Sequence, residues 1–298
     1  MNFIETNRCR VDPVTLSNKF HTTTDVLRLD LLHPVISGNK WFKLKGYIND
    51  AVQQQKKILV TFGGAWSNHL VATAATASLC GLQSLGIVRG ERPTVLSATL
   101  TDAQSYGMQL TFVTRNDYKQ KVIPNQLLQQ FEERDLYVIN EGGYGIKGME
   151  AAADILPMAR KNYTHILAAV GTGTTLAGIA FSALPHQQVI GISVLKNNLS
   201  IEGEVKNLLP AEKHAKVNIM HDYHFGGYAK STSELLQFMN DWYHQTNIPS
   251  DFVYTGKLFY AYHHLLHNNF FPEGSKVLLI HSGGLQGNRS LPNGTLIF

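Results

Sequence analysis

An α/β fold, with parallel sheets covered by helices on both faces, is what this sequence predicts. Three observations carry that expectation. Short apolar, β-branched runs alternate with helical patterns almost from end to end, as in strands joined by crossover helices. Hydrophobic residues make up 44% of the chain and charged residues 16%, which is enough apolar surface to offset chain entropy and exclude disorder. The length of 298 residues suggests two domains or one large unit, at roughly 150 residues per domain.

Taken in order, the strand-like runs are DVLRLDLL from Asp25, KILVTFG from Lys57, QSLGIVRG from Gln83, QLTFVT from Gln109 and LYVIN from Leu136. They continue with HILAAVG from His165, QVIGISV from Gln188, KVNIM from Lys216, DFVYT from Asp251 and KVLLIHSGG from Lys276. Each is a short apolar stretch rich in β-branched residues and bounded by polar or glycine positions. Helical stretches lie between them: KLKGYINDAVQQQ from Lys43, NHLVATAATASLCG from Asn68, LSATLTDAQSYG from Leu96 and IPNQLLQQFEERD from Ile123. The second half adds GMEAAADILPMARK from Gly148, TTLAGIAFSALP from Thr174, STSELLQFMNDWYHQ from Ser231 and KLFYAYHHLLHNN from Lys257.

Charge and composition narrow the partners. A net charge of +4, from 26 Lys plus Arg against 22 Asp plus Glu, is not concentrated in any basic run, so neither nucleic acid nor a membrane surface is expected as a partner. Two cysteines, Cys9 and Cys80, make neither a disulfide framework nor a four-ligand zinc site, and a reducing compartment fits them. The thirteen His show no ligand-spaced set with Cys or carboxylates, so no metal is expected. The first residues lack the pattern of a signal peptide, and no run approaches the ~18 apolar residues of a membrane span. A cytoplasmic location is the expectation.

In sheets of this kind the site sits beyond the C-terminal strand ends. Four such ends run into glycine or polar residues: TFGGAWSNH, AAVGTGTTLAG, VYTGK and IHSGG. In the second, Gly171 and Gly173 allow close backbone approach, while Thr172, Thr174 and Thr175 add hydroxyls at the start of a helix. This is an anion cradle. No Lys-Ser/Thr follows its glycines as in a nucleotide-triphosphate loop, and Leu176 stands where a dinucleotide fingerprint needs its third glycine. A terminal phosphate suits it better than a pyrophosphate.

Lys40 follows Ser-Gly-Asn near the start of a helix, with Lys43 and Lys45 on the next turn. The plain reading is a solvated side chain. A helix N-terminus is nevertheless the wrong end for a cation, and a lysine near other cations can serve as a Schiff-base amine. Ser67 and Asn68 open the next helix, either as ordinary N-caps or as a hydroxyl and an amide presented to a ligand.

In their order along the chain, SGNKWFKLK, GGAWSNHLVATAA, GTGTTLAG, VYTGK and HSGG resemble the pyridoxal-phosphate enzymes of the tryptophan-synthase-β-like fold, or fold type II. Within that fold they resemble the group of 1-aminocyclopropane-1-carboxylate deaminase and D-cysteine desulfhydrase. The resemblance implies two α/β domains with twisted, mostly parallel sheets and pyridoxal 5'-phosphate in the cleft between them. A smaller domain would span residues 46–145, and a larger one 1–45 plus 146–298. It implies that Lys40 carries the cofactor covalently. Thr172, Gly173, Thr174 and Thr175 would bind its phosphate with Lys43 nearby, and Asn68 would contact the ring's hydroxyl side or the phosphate. Ser67 would meet the substrate carboxylate or act as base or nucleophile, beside His69 and Trp66. Tyr254 and Tyr228 would face a small amino-acid substrate. A homodimer is a further expectation.

The choice of chemistry turns on Thr255. Cyclopropane deaminases of the group carry an acid after the tyrosine of V-Y-x-G-K, which protonates the ring nitrogen. Thr255 or Ser282 would donate to a neutral nitrogen instead, leaving a weaker electron sink. Elimination of a good leaving group is then favoured over opening of a ring that has no α-proton. Trp66 stands where the group usually has Gln, and the chain looks short at its N-terminus, so the substrate is open. The readings are a D-cysteine desulfhydrase-like lyase, a cyclopropane deaminase, and a cofactor-binding protein without turnover. A nucleotide-binding oxidoreductase is disfavoured by the glycine spacing.

Overall fold

The computed structural model describes residues 4–16 and 21–298. The chain forms β1 (Arg10–Val14), β2 (Thr23–Arg28), α1 (Asn39–Gln53), β3 (Ile58–Gly63), α2 (Asn68–Leu79), β4 (Gln83–Arg89), α3 (Ala98–Ser105) and β5 (Met108–Val113). It continues through α4 (Arg115–Gln120), α5 (Asn125–Gln130), β6 (Leu136–Ile139), α6 (Ile146–Ala152), β7 (His165–Val170), α7 (Thr174–Ser182) and β8 (Gln188–Ser193). The last elements are α8 (Ile201–Lys206), β9 (Val217–Met220), α9 (Ser233–Thr246), α10 (Thr255–His267) and β10 (Lys276–His281).

Two sheets result. A four-stranded parallel sheet has the order β5-β4-β3-β6, and a six-stranded sheet the order β1-β2-β10-β7-β8-β9. Every pairing is parallel except β1 with β2. The fully buried central strands β3 and β7 are the continuous apolar runs expected of sheets covered on both faces.

The largest core unites the two sheets through α1. Trp41, Phe42, Leu44 and Ile48 of that helix pack with Leu59 and Ile139 of the four-stranded sheet and with Ile166 and Ile280 of the six-stranded one. On the far face of the large sheet α9 and α10 contribute Trp242, Phe259 and Tyr262, whose Trp242 and Phe259 rings stack at 4.7 Å. α1 runs through position 46, so a boundary there would be one of packing and not a break between elements.

Two strand assignments differ from the sequence reading. Arg10–Val14 is a strand although it reads as polar, because an edge position tolerates Pro13 and exposed charges. DFVYT is a turn leading into α10. The Asp251 carboxylate takes the backbone N–H groups of Val253, Tyr254 and Thr255 that a strand would give to a neighbour.

Candidate active site

Within each sheet all strands but β1 run the same way, and the loops after β3, β6, β7 and β10 meet, Gly142 against Thr172 and Gly284 against Asn68. α1 is fastened there first. Gly38 has φ +65°, and a Cβ on it would lie 1.8 Å from the Ser282 carbonyl oxygen. The Gly38 N–H donates to Leu29 O and the Asn39 N–H to Ser282 O, at 3.0 and 3.2 Å. This close approach sets Lys40 as the second residue of α1, next to the end of β10.

Asn39 joins the lysine to the glycine-threonine loop. Its Oδ1 accepts from Lys40 Nζ at 2.9 Å, and its Nδ2 donates to Thr175 Oγ1 at 2.8 Å. Burial pulls the Lys40 ammonium down to about 8, opposed by the charge of Asp251. Lys43 is buried and donates to the Gly142 carbonyl. Burial and then Lys40 hold it well below the usual lysine range. Neither lysine has a carboxylate ion-pair partner among the described residues.

The loop after β7 is a close-packed cradle. Gly173 caps α7 at φ +80°, where a Cβ would meet Val205 Cγ2 at 2.6 Å. Thr174 and Thr175 are buried, and Thr172 and Thr174 approach each other through their hydroxyls at 3.4 Å. The leading N–H groups of α7 have no partner inside the helix. A Cβ on Gly142 would touch Thr172, so the loop after β6 closes against the loop after β7.

Ser67 caps α2, accepting from the Leu70 N–H at 3.3 Å. Its own hydroxyl proton has no acceptor among the described residues. Asn68 is buried with an unpartnered Oδ1. His69 has a determined tautomer. Thr61 gives its one hydroxyl proton to Ile139 O at 2.8 Å, so the contact between Thr61 Oγ1 and His69 Nε2 at 2.8 Å requires the proton on Nε2. Burial, Lys43 and Lys40 keep the ring neutral, and its buried Nδ1 lone pair is unpartnered. Trp66 is 37% exposed at the turn between β3 and α2.

From the other side, Tyr254 Oη donates to Tyr228 Oη at 3.5 Å, and the rings meet edge to face at 6.1 Å. Lys40 Nζ stands 5.7 Å from the Tyr254 ring centre. Burial raises Tyr254 well above the usual range, so it holds its proton. Gly171 makes room for this ring, since a Cβ there would lie 3.3 Å from Tyr254 Cε1.

Three contributors had no role in the sequence reading. Asn39 is one; only its place before Lys40 pointed to it. Asp251 is another: fully buried, it accepts the Thr255 hydroxyl at 2.7 Å while its N–H donates to Thr255 Oγ1 at 2.8 Å. The single Thr255 proton is therefore committed to Asp251. What Thr255 can offer a ring nitrogen is a lone pair, in contrast to the donor role read from sequence. Asp251 also faces Gly284, whose Cβ would lie 3.3 Å from both Asp251 Cγ and Asn68 Nδ2. The third is Lys257, which donates to the carbonyls of His224 and Gly227 at 2.8 and 2.7 Å and so fixes the loop that carries Tyr228. The i, i+4 spacing of Asp251 and Thr255 and the lysine of VYTGK were the available signals.

The comparisons with known proteins fit this geometry. The family model described as pyridoxal-phosphate dependent enzyme matches residues 12–283. The chain belongs to that family. A Thermotoga maritima protein, provisionally named a 1-aminocyclopropane-1-carboxylate deaminase, is 30% identical over 292 residues, covering 91% of this chain and 92% of its own. The bifunctional D-cysteine desulfhydrase/1-aminocyclopropane-1-carboxylate deaminase of Arabidopsis thaliana is also 30% identical, covering 88% of this chain and 72% of its own. A crystal structure of a deaminase homologue superimposes with a TM-score of 0.81 at 25% identity, covering 94% of this chain and 90% of that one. O-ureido-L-serine synthase, at 14% identity and a TM-score of 0.70, shares the fold.

As a pyridoxal-phosphate dependent enzyme of fold type II, the chain has residues that fit its cofactor. Buried Lys43 and partly buried Lys40, neither in an ion pair with a carboxylate among the described residues, call for an anion, and the glycine-threonine cradle beside them supplies N–H and hydroxyl donors for a phosphate. The orphaned acceptors Asn68 Oδ1 and His69 Nδ1 call for a polar partner between the two sheets.

Proposed function

We propose that this enzyme is a lyase that eliminates the β-substituent of a small amino acid. The reference reaction is D-cysteine plus water giving pyruvate, ammonia and hydrogen sulfide. The observation that carries the proposal is Lys40, an amine pulled to about 8 and held between Asn39 and the Tyr254 ring. Bound pyridoxal phosphate supplies a carbonyl that joins amines and an electron sink for the bond that breaks.

The chain's residues do the rest. Lys40 Nζ, as a free amine, would be a base of suitable strength to take the proton from the substrate α-carbon. Ser67 donates its hydroxyl to the substrate carboxylate. Asn39, Thr172, Gly173, Thr174 and Thr175 would hold the cofactor's phosphate with Lys43 nearby, and Asn68 and Ser282 would hold its ring. Tyr254 and Tyr228, both protonated, stand ready to give a proton to the leaving group. In this reading residues 46–145 form the smaller domain, and 1–45 with 146–298 the larger.

Opening of 1-aminocyclopropane-1-carboxylate is the second reading. The names of the relatives and the paired tyrosine hydroxyls favour it, but the substrate has no α-proton for Lys40 to remove. Binding without turnover is the third, with Trp66 in its favour.

Borohydride reduction of the loaded protein, followed by peptide mass spectrometry, should place the cofactor on Lys40, and Lys40→Ala should abolish that adduct. Pyruvate should then be released from D-cysteine faster than 2-oxobutanoate from the cyclopropane. The opposite order would establish the second reading, and cofactor uptake with no product from these or from amino acids with charged side chains the third. Attachment to any other lysine would overturn the assignment of Lys40.

A further inference from the structure

Beside the tyrosine pair, the fold assembles a concentration of cations that is invisible along the linear chain. A cavity of about 590 Å³ is lined by Arg89, Arg115, Tyr118, Lys119, Lys121 and Glu141, drawn from the C-terminal end of β4, the helix α4 and the loops after α4 and β6. Its volume is within the ~300–1,000 Å³ range of small-molecule sites. Four of its six residues carry positive charge and one negative. Lys121 neutralises Glu141 in an ion pair of 2.5 Å. Arg89, Arg115 and Lys119 have no carboxylate partner among the described residues.

Tyr118 forms one wall of this cavity and is 4% exposed. Its hydroxyl faces the Glu141 carboxylate, which Lys121 also engages. Burial and then Glu141 raise it far above its ordinary value, so its proton stays on. Lys121 Nζ lies 3.5 Å from the Tyr118 ring centre, and the Arg89 guanidinium lies 5.7 Å from it. Lys121 and Arg89 are thereby gathered around the Tyr118 ring.

The pocket adjoins the candidate active site. Glu141 immediately precedes Gly142, whose carbonyl takes the Lys43 ammonium. A Cβ on Gly64, three positions before Ser67, would lie 3.6 Å from Arg89 Nη2. The charges of Glu141 and Arg89 both reach Tyr228.

We propose that this pocket receives an anionic group at the far end of the substrate side chain. The amino acid taken by the enzyme then carries a sulfonate, carboxylate or phosphate there. The inference rests on the lyase reading for the amino-acid end of the substrate. The pocket's own preference for an anion is independent of it.

The test uses the protein loaded with pyridoxal phosphate and the D and L forms of cysteate and homocysteate. Alanine and 2-aminobutyrate serve as probes of matching carbon count that lack the charge. Dissociation constants are read by titration calorimetry. At least one sulfonate should bind about tenfold tighter than its uncharged counterpart, as expected of charge-assisted hydrogen bonds. Arg89→Gln and Arg115→Gln should each remove most of that advantage while changing the uncharged counterpart less than twofold. Sulfate titrated into cofactor-free protein gives a second arm. Arg89-dependent sulfate binding without any preference for the sulfonates would assign the pocket to a free inorganic anion and overturn the substrate proposal. Equal binding of charged and uncharged probes, with no sulfate site, would overturn it entirely. Failure to take up pyridoxal phosphate would instead sink the lyase reading, with the sulfate arm still reporting on the pocket.

Discussion

At the scale of single residues, Asp251 sets the electrostatics of the amine. Its buried carboxylate is the one charge supporting the Lys40 ammonium, against desolvation that favours the free base. Lys40 is therefore lowered from 10.5 to about 8. The rate of pyridoxal phosphate uptake, which needs the free amine, should climb with pH through about 8 and level off above it. In Asp251→Asn the support is gone and the climb should move to lower pH, as stopped-flow absorbance would show. The same depressed value has a stability consequence. Between about 8 and 10.5 the unfolded chain binds more protons than the folded one, so Lys40 makes stability rise with pH across that window. Lys40 was marked by the SGNKWFKLK motif and the resemblance it carries, since a lone lysine at a helix N-terminus reads by itself as a solvated side chain. Asn39, Asp251 and Lys257 were not. Their partners at Thr175, Lys40 and Gly227 lie 136, 211 and 30 positions away, and only the fold brings them into contact.

At the scale of elements, the start of α1 is the most constrained joint in the site. Gly38→Ala would force a Cβ into the Ser282 carbonyl and ask an L side chain to hold φ +65°. A clash with backbone cannot be relieved by a rotamer change, so the loss should be at least about 3 kcal/mol. Urea denaturation monitored by circular dichroism would measure it. Strands β3 to β10 were readable because buried parallel strands are continuous apolar runs. β1 escaped because edge strands need no such run, and DFVYT misled because its apolar residues pack in a turn. Phe252 and Val253 are buried there against Leu235 and Met239 of α9, so the hydrophobic signal was real while its secondary structure was not. The six-residue helices α4 and α8 are too short for periodicity to reveal.

At the scale of the whole molecule, one core binds both sheets through α1, and the cofactor's expected contacts come from both. Loading should therefore stabilise the entire protein and not a single lobe. At a hundred times its dissociation constant a ligand adds about 2.7 kcal/mol. For a chain of this length, that shifts the melting temperature by about 4 °C. Differential scanning calorimetry should show the shift, reduced in Lys40→Ala. The two-sheet architecture was legible because alternating strand and helix patterns persist along the chain. The basic pocket was not, since Arg89, Lys121 and Glu141 are scattered among ordinary surface charges.

The hydrogen bond from the Asn39 N–H to the Ser282 carbonyl also sets an order of events during synthesis. Lys40 leaves the ribosome early, but the strand end that seats its helix is among the last segments translated. Until then the lysine is an ordinary amine on an unanchored helix, without the burial that lowers its basicity. With Lys40 in its proposed role, capture of the aldehyde waits for nearly the full chain, and a nascent polypeptide stopped short of residue 282 has the lysine without the strand end that seats it.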